Sequence, residues 1–305
     1  MSKAFLVRLA AVGLVPALLL AGPATKPATE PAQTRPAPVI YDEPRRLCDL
    51  ADKRISESSG LAASHRTPDV FWTHNDSGDG PKLYAFNAAG RSLATVTVRG
   101  AGASDWEDMA SFALGGRSFL LIGDMGDNAR RRKTCKLYIV PEPKVPAGAS
   151  GAALTAQAAV AIEFQYEDGP HDCESVAVDT RDRRIYLASK TGIAKVYELP
   201  LPDKSPNSVL VAKAIAAVGV PFAVAMDISP DGSRAVILTY GPAYEFTRGA
   251  DETWQQAFAR PPRRLTMPPR AQGESICYGT DGKTLYLTSE KLPTPLYRVA
   301  AKNQE

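Results

Sequence analysis

Cys173-Glu174-Ser175-Val176-Ala177-Val178-Asp179, Arg184-Ile185-Tyr186-Leu187-Ala188-Ser189-Lys190 and Lys195-Val196-Tyr197-Glu198-Leu199 decide how this chain is read. β-Branched and aromatic residues fill each run, and Arg/Asp and Lys-Thr-Gly turns separate them. That pattern predicts three short antiparallel strands.

The pattern recurs. Glu274-Ser275-Ile276 matches Glu174-Ser175-Val176, Leu285-Tyr286-Leu287 matches Ile185-Tyr186-Leu187, and Leu296-Tyr297-Arg298-Val299 matches Val196-Tyr197-Glu198-Leu199. Halfway between, Asp231-Gly232 stands against Asp281-Gly282. Upstream, Glu57-Ser58-Ser59-Gly60 and Glu107-Asp108-Met109-Ala110 open further copies. The openings at 57, 107, 174, 224 and 274 are spaced 50, 67, 50 and 50 residues apart, with a tyrosine in each third strand (84, 138, 197, 244 and 297). A period near 50 with several strands per unit predicts an all-β, five-bladed β-propeller.

The chain of 305 residues is 44% hydrophobic and 23% charged, an ordinary globular composition able to bury a large core. A net charge of +3 and the lack of a basic groove with interleaved aromatics argue against nucleic acid as a partner. Residues 1–24 carry Lys3 and Arg8, an apolar run from Leu9 to Ala21 and then Gly22-Pro23-Ala24, the layout of a signal peptide. The run is short for a membrane span, so no stable span is expected after cleavage, and the protein is expected in the periplasm or secreted. Residues 25–45, rich in Pro, Thr and Ala, read as a solvated linker, and 46–305 as a single propeller domain.

Blade one is expected over 55–100, with strands at 56–63, 70–74, 82–86 and 92–98. The extra residues of blade two fall in an Ala/Gly/Pro-rich excursion, 143–159, before a fourth strand at 160–166. Residues 209–215 supply the outer strand of blade three, and 254–258 or 264–267 that of blade four. Blade five has too few residues after Tyr297 for an outer strand, and an open edge invites association. The N-terminal segment 39–50 is the natural closing strand.

In a propeller, the loops entering the innermost strand and leaving the second strand emerge on one face. Glu57, Glu107, Glu174 and Glu274 open the inner strands, with Val224 at the fifth opening. A strand later come His74, Asp124, Lys190, Tyr240 and Glu290. Converging carboxylates repel one another unless protonated, paired or bridged by a cation. Hard oxygen ligands suit calcium or magnesium, which makes the four Glu candidate metal ligands. The alternative is that each Glu bonds backbone amides between blades. The loops holding Asn75, Asp76, Asp127 and Asn128 are rich in Asp, Asn and Gly but lack the closing Glu of an EF-hand. With the second ring, these residues form the candidate ligand-binding set. His74, His171 and Lys190 are candidate acid–base groups, and the run from Arg130 to Lys133 could meet an anion. No nucleophile elbow, His-Glu-x-x-His, phosphate loop or Cys-x-x-Cys occurs.

Ser-Glu-Ser-Ser-Gly-Leu-Ala, Asp-Trp-Glu-Asp-Met-Ala, Gly-Asp-Met-Gly-Asp-Asn and Gly-Pro-His-Asp-Cys-Glu-Ser-Val make residues 45–299 resemble the exported bacterial propellers called WD-repeat-like. The resemblance implies the fold and says little about a reaction. A looser likeness is to phytase-like and gluconolactonase-type propellers, which place acids and a calcium ion at the channel mouth. Those usually have six blades, against five counted here. The expected function is therefore a binding protein for a small molecule, glycan or envelope protein, with a metal-assisted esterase, lactonase or phosphatase as the alternative. Four cysteines in an exported chain allow three full pairings. Cys135 and Cys173 lie in loops sharing a face and a blade boundary, so that pair is the expected bridge. Cys48 and Cys277 should sit roughly 14 Å apart, three strand spacings, which is too far to bond.

Overall fold

The computed structural model describes residues 35–302, within one compact unit, Gln33–Glu305. The expected signal peptide and the first part of the linker, to residue 34, lie outside the described residues. The fold is all-β and propeller-like. β1 (Arg45–Asp49) precedes β2 (Ser58–Ala63), β3 (Val70–Asn75), β4 (Lys82–Asn87) and β5 (Ser92–Arg99), which form one antiparallel meander. β6 (Trp106–Leu114), β7 (Arg117–Asp124) and β8 (Cys135–Pro141) come next, followed by β9 (Ala152–Gln157) and β10 (Val160–Tyr166). β11 (Cys173–Asp179), β12 (Arg184–Ser189), β13 (Ala194–Pro200) and β14 (Leu210–Val218) make the next meander. After it come β15 (Ala225–Ile228), β16 (Arg234–Leu238), β17 (Ala243–Thr247), α1 (Trp254–Phe258) and β18 (Arg263–Leu265). β19 (Ser275–Tyr278), β20 (Leu285–Thr288) and β21 (Pro295–Val299) end the chain's regular structure.

The inner strands pack in a circle: β2 on β6, β6 on β11, β11 on β15, β15 on β19, and β19 back on β2. Apolar cores lie between neighbouring sheets. Trp72 and Leu83 meet Ile122 and Val140, Leu121 and Phe164 meet Leu187 and Tyr197, and Tyr186 and Ala188 meet Ile237 and Phe246. Val236 and Leu238 then meet Ile276 and Leu287, and Phe71 and Phe86 return the circle through Cys277 and Leu296. The five repeat tyrosines all fall on third strands. Three of them reach the loop that enters their own sheet: Tyr138 Oη accepts from Gly102 N (3.0 Å), Tyr197 Oη donates to Asp168 (3.0 Å), and Tyr297 Oη donates to Pro269 O (3.2 Å).

β1 pairs antiparallel with β21, Arg45 opposite Arg298 and Asp49 opposite Pro295. The N-terminal strand thus supplies the outer edge that the last repeat lacks. The stretch expected to be solvated linker is, from Arg35 onward, held against the fold. Arg35 bonds Glu252 (2.7 Å), Ala37 O accepts from Arg234 (3.0 Å), Tyr41 Oη donates to Glu245 (2.7 Å), and Tyr41 bridges Ala301. Arg35, Arg234 and two buried glutamates, Glu245 and Glu252, all far apart in sequence from the residues they bond, hold this strap.

Other expectations need correction. Residues 254–258 form a helix, because Thr253 and Gln256 close a capping box and Trp254, Ala257 and Phe258 turn one face inward. The outer strand of that sheet is β18. The 143–159 excursion contains β9, which runs parallel to β5 and extends the previous repeat's sheet. The four cysteines are free. Cys135 Sγ donates to Met125 O (3.7 Å) and Cys173 Sγ to Ala188 O (3.2 Å), so backbone carbonyls take the place of the expected bridge. Arg248, fully buried, joins two sheets by bonding Asp179 Oδ2 (2.5 Å) and Gly232 O (3.0 Å).

A chain beginning at Lys53 lacks the strap and β1, and so leaves β21 with a bare edge. It should aggregate or lose its cooperative thermal transition, whereas a chain beginning at Arg35 should melt like the full protein. Equal melting of the two would mean that β1 does not stabilise the fold.

Candidate functional site

Backbone hydrogen bonds show which residues are equivalent around the ring. Asp76 N donates to Glu57 O (3.0 Å), Met125 N to Asp105 O (3.1 Å), Lys190 N to Asp172 O (2.9 Å) and Glu290 N to Gln272 O (2.8 Å). Glu57 is therefore the counterpart of Asp105, Asp172 and Gln272. The counterpart of Glu107, Glu174 and Glu274 in the first repeat is Ser59, whose hydroxyl donates to Glu107 O (2.5 Å). By the same register, Asp76 and Met125 occupy the places of Lys190, Tyr240 and Glu290, and His74 and Asp124 fall short of them. Matching Glu-Ser to Glu-Ser misaligned the first repeat. The inner strands β2, β6 and β11 bulge between Ser58 and Gly60, Trp106 and Asp108, and Cys173 and Val176.

Burial follows the corrected alignment. Glu57 is exposed, while Glu107, Glu174, Glu274 and Glu290 are buried. Around them lie Asp76, Asp105 and Asp172. Carboxylate oxygens of Asp76, Asp105 and Glu107 come within 4.8 Å of one another. Gly126 makes this approach possible: a Cβ there would stand 2.0 Å from Glu107 Oε1 and 2.4 Å from Asp105 Oδ2. Beside this group Lys190 bonds Glu174, and its ammonium lies 5.3 Å from the centre of the Tyr240 ring. Glu274 Oε1 accepts from Tyr240 Oη (3.0 Å) and from Gln272 Nε2 (3.1 Å).

Crowding shows in the proton affinities. Burial, and then the charges of Glu174, Asp76 and Asp105, hold the Glu107 carboxyl well above its ordinary range. Burial pushes Glu174 up to about 8 against the pull of Lys190, with Glu274 and Asp172 adding to the rise. Glu290 is pushed up to about 9 by burial and by the adjacent Glu274 carboxylate. Asp76 and Asp105 are raised as well, mainly by burial. A cation placed among these groups would replace their protons.

Several expected site residues are instead built into the scaffold. His74 is fully buried, edge-on to Trp106 and against Gly60, with Nδ1 bonded to Asn75 O (2.9 Å). Burial lowers its pKa to about 4, so it is a neutral packing residue. Asn75 bonds Arg54 O (2.7 Å) and Glu57 N (3.1 Å). Asp124 is tied to Arg132 (2.9 Å) and to the amides of Ser104 and Asp105 (3.2 Å each), so one arginine of the basic run is spent inside its own loop. Asp127 accepts from Arg132 N (2.7 Å), and Asn128 lies exposed on the same loop. His171 joins a separate network with Asp168 (2.8 Å) and Tyr197 (2.7 Å). Two acids outside the expected set, Asp105 and Asp172, belong to the mouth. Their signal in the sequence was the repeat position shared with Glu57.

No family model matches the chain, and no curated protein matches it by sequence. Among solved structures, the major Malassezia sympodialis allergen Mala s 1 is similar at 11% identity, covering 84% of this chain and 97% of that one, with a TM-score of 0.52. A candidate 6-phosphogluconolactonase of Bacteroides uniformis is similar at 18% identity over 81% of this chain and 68% of that one, with a TM-score of 0.40. At these identities the likeness speaks to fold alone. The class defined is an all-β, propeller-like protein, with an acidic group of three residues that could hold a metal ion.

Carboxyls raised in the folded state give stability that is complete below their unfolded value, about 4.3 for Glu. That stability is lost as pH rises through the folded value. The cation-free protein should therefore melt at progressively lower temperature between about pH 5 and about pH 9, and Glu290→Gln should flatten that slope. Identical slopes in the two proteins, followed by scanning calorimetry in chelator, would place the titrating groups elsewhere.

Proposed function

We propose that the chain is an exported, five-bladed β-propeller that binds a ligand or partner at its acidic mouth and holds a divalent cation there. The blade count rests on the recurring unit and on the circle of inner strands. Export rests on the signal-like pattern of residues 1–24, and no described helix is long and apolar enough to cross a membrane. The observation that carries the cation reading is the approach of Asp76, Asp105 and Glu107 over Gly126. One buried and two half-buried carboxylates at that separation repel one another unless protonated, paired or bridged by a cation. Calcium is the ion favoured, since it takes carboxylate oxygens at about 2.3–2.6 Å in flexible geometry.

A metal-assisted hydrolase is the second reading. It is favoured by Glu174, whose carboxyl at about 8 keeps a proton near neutral pH beside the cation niche, as a general acid must. Turnover of an ester, lactone or phosphate panel that stops in chelator and in Glu174→Gln would decide for it. Absence of turnover with intact calcium binding would decide for the binding protein.

Calcium at about a hundred times its dissociation constant should raise the melting temperature by about 5 °C for a domain of this size. Glu107→Gln and Asp105→Asn should remove the rise while Glu198→Gln, on the outer part of the fold, keeps it. A rise that persists in Glu107→Gln would show the ion bound somewhere else.

A further inference from the structure

Ile193, Phe222, Tyr240 and Leu292 are between 45% and 65% exposed. They lie in the connections β12–β13, β14–β15, β16–β17 and β20–β21, all at the end of the strands that carries the acidic mouth. The other large exposed apolar residues, Ile40, Leu47, Val209 and Val211, belong to the strap, to β1 and to β14 with its approach. The rim residues are linked through the mouth itself. Phe222 N donates to Thr191 O (2.8 Å), Lys190 lies over Tyr240, Tyr240 bonds Glu274, and Leu292 follows Glu290 by two residues.

Part of this arc has unusual backbone angles. Phe222 has φ +52° and Lys291, beside Leu292, has φ +71°, conformations that L-residues with side chains adopt at a cost and that concentrate at functional sites. Inside the arc, Glu174 is buried, and its Oε2 has no hydrogen-bond partner among the described residues. Its Oε1 is bonded to Lys190, so the apolar rim surrounds a buried carboxylate with one free oxygen, flanked by Glu274 and Glu290, which is complementary to a cation carried between apolar groups.

We propose that this rim docks an extended segment of a partner protein in which an arginine or lysine stands between apolar side chains. The cationic group would meet Glu174, Glu274 and Glu290, and its neighbours would cover Ile193, Phe222, Tyr240 and Leu292. This rests on the mouth being a binding end, and names its partner. The arc crosses three successive sheets, a span that suits an extended chain whose alternate side chains fill separate places. The divalent cation keeps the adjoining niche of Asp76, Asp105 and Glu107.

The test is calorimetric titration of the full chain, in saturating calcium, with acetyl-Ser-Leu-Arg-Phe-Ser-amide. The comparison peptides carry Glu in place of Arg, or Ser in place of both Leu and Phe. The Arg peptide should bind about tenfold or more tightly than either. Phe222→Gly, which suits the positive φ, should weaken it about tenfold without lowering the melting temperature, and Glu174→Gln should weaken it as well. Failure of the Arg peptide to bind, equal binding of Arg and Glu peptides, or an unaffected Phe222→Gly overturns the proposal. The calcium-induced melting shift, measured on the same samples, reports the cation reading separately, because Phe222 is not among its ligands.

Discussion

The carboxylate of Asp108 is the constraint on which the centre of the molecule depends. It is fully buried, and it accepts from Val176 N (2.9 Å), Met226 N (3.1 Å) and Met109 N (2.8 Å), so one side chain ties β6 to β11 and β15. Asp227 repeats the device with Tyr278 N (2.7 Å) and Ile228 N (2.8 Å), joining β15 to β19. Inner strands that face one another round an axis cannot satisfy these amides by pairing across the gap. A buried carboxylate accepting several of them offsets much of its own desolvation. The same burial raises both acids, Asp227 to about 7, so the axis is already electrostatically loaded before the mouth adds its own carboxylates.

The mouth itself has two adjoining parts. On one side Lys190 and Tyr240 neutralise or donate to Glu174 and Glu274. On the other, Gly126 lies against Asp105 and Glu107, and Asp76, Asp105 and Glu107 form no ion pair among the described residues, Lys190 and Arg132 acting on Asp76 and Asp105 only through space. The two sides therefore differ in what they can accept. One is a set of oxygens waiting for a compact ion, and the other is a hydrogen-bonded surface bordered by exposed apolar groups.

Much of the fold was legible in the sequence because period and turn chemistry are local. Strand positions followed from alternation between Asp-Gly and Lys-Thr-Gly turns, and the tyrosines marked the third strands. The closing role of β1 was legible by subtraction, since the last repeat ran out of chain. The errors have physical causes. Glu-Ser recurs in the first repeat two residues before the equivalent place, so Glu57 was set equal to Glu174 when Ser59 holds that place; β2, β6 and β11 all bulge there, so the bulges leave the repeats in step. His74 was carried to the mouth by the same slip, whereas Asp124 stands one residue short of Met125, whose amide pairs with Asp105 O. Residues 254–258 follow a cap, and a capping box overrides a short apolar run that otherwise passes for a strand. β9 was missed because Ala152–Gln157 has weak strand propensity and is held by parallel pairing to β5, a long-range contact no window of sequence contains.

The pairing of β1 with β21 has a kinetic side. Arg45 finds Arg298 only after every intervening strand has been made, so the circle cannot close while synthesis is still under way. The early repeats can form meanders as they emerge, since their contacts are near neighbours, but the last core and the strap must wait for the final strand. Until then one outer edge and one inter-sheet apolar face stay open together. Ring closure is thus a late, all-or-none event, and an incomplete chain is an unfinished circle with a sticky end at each side.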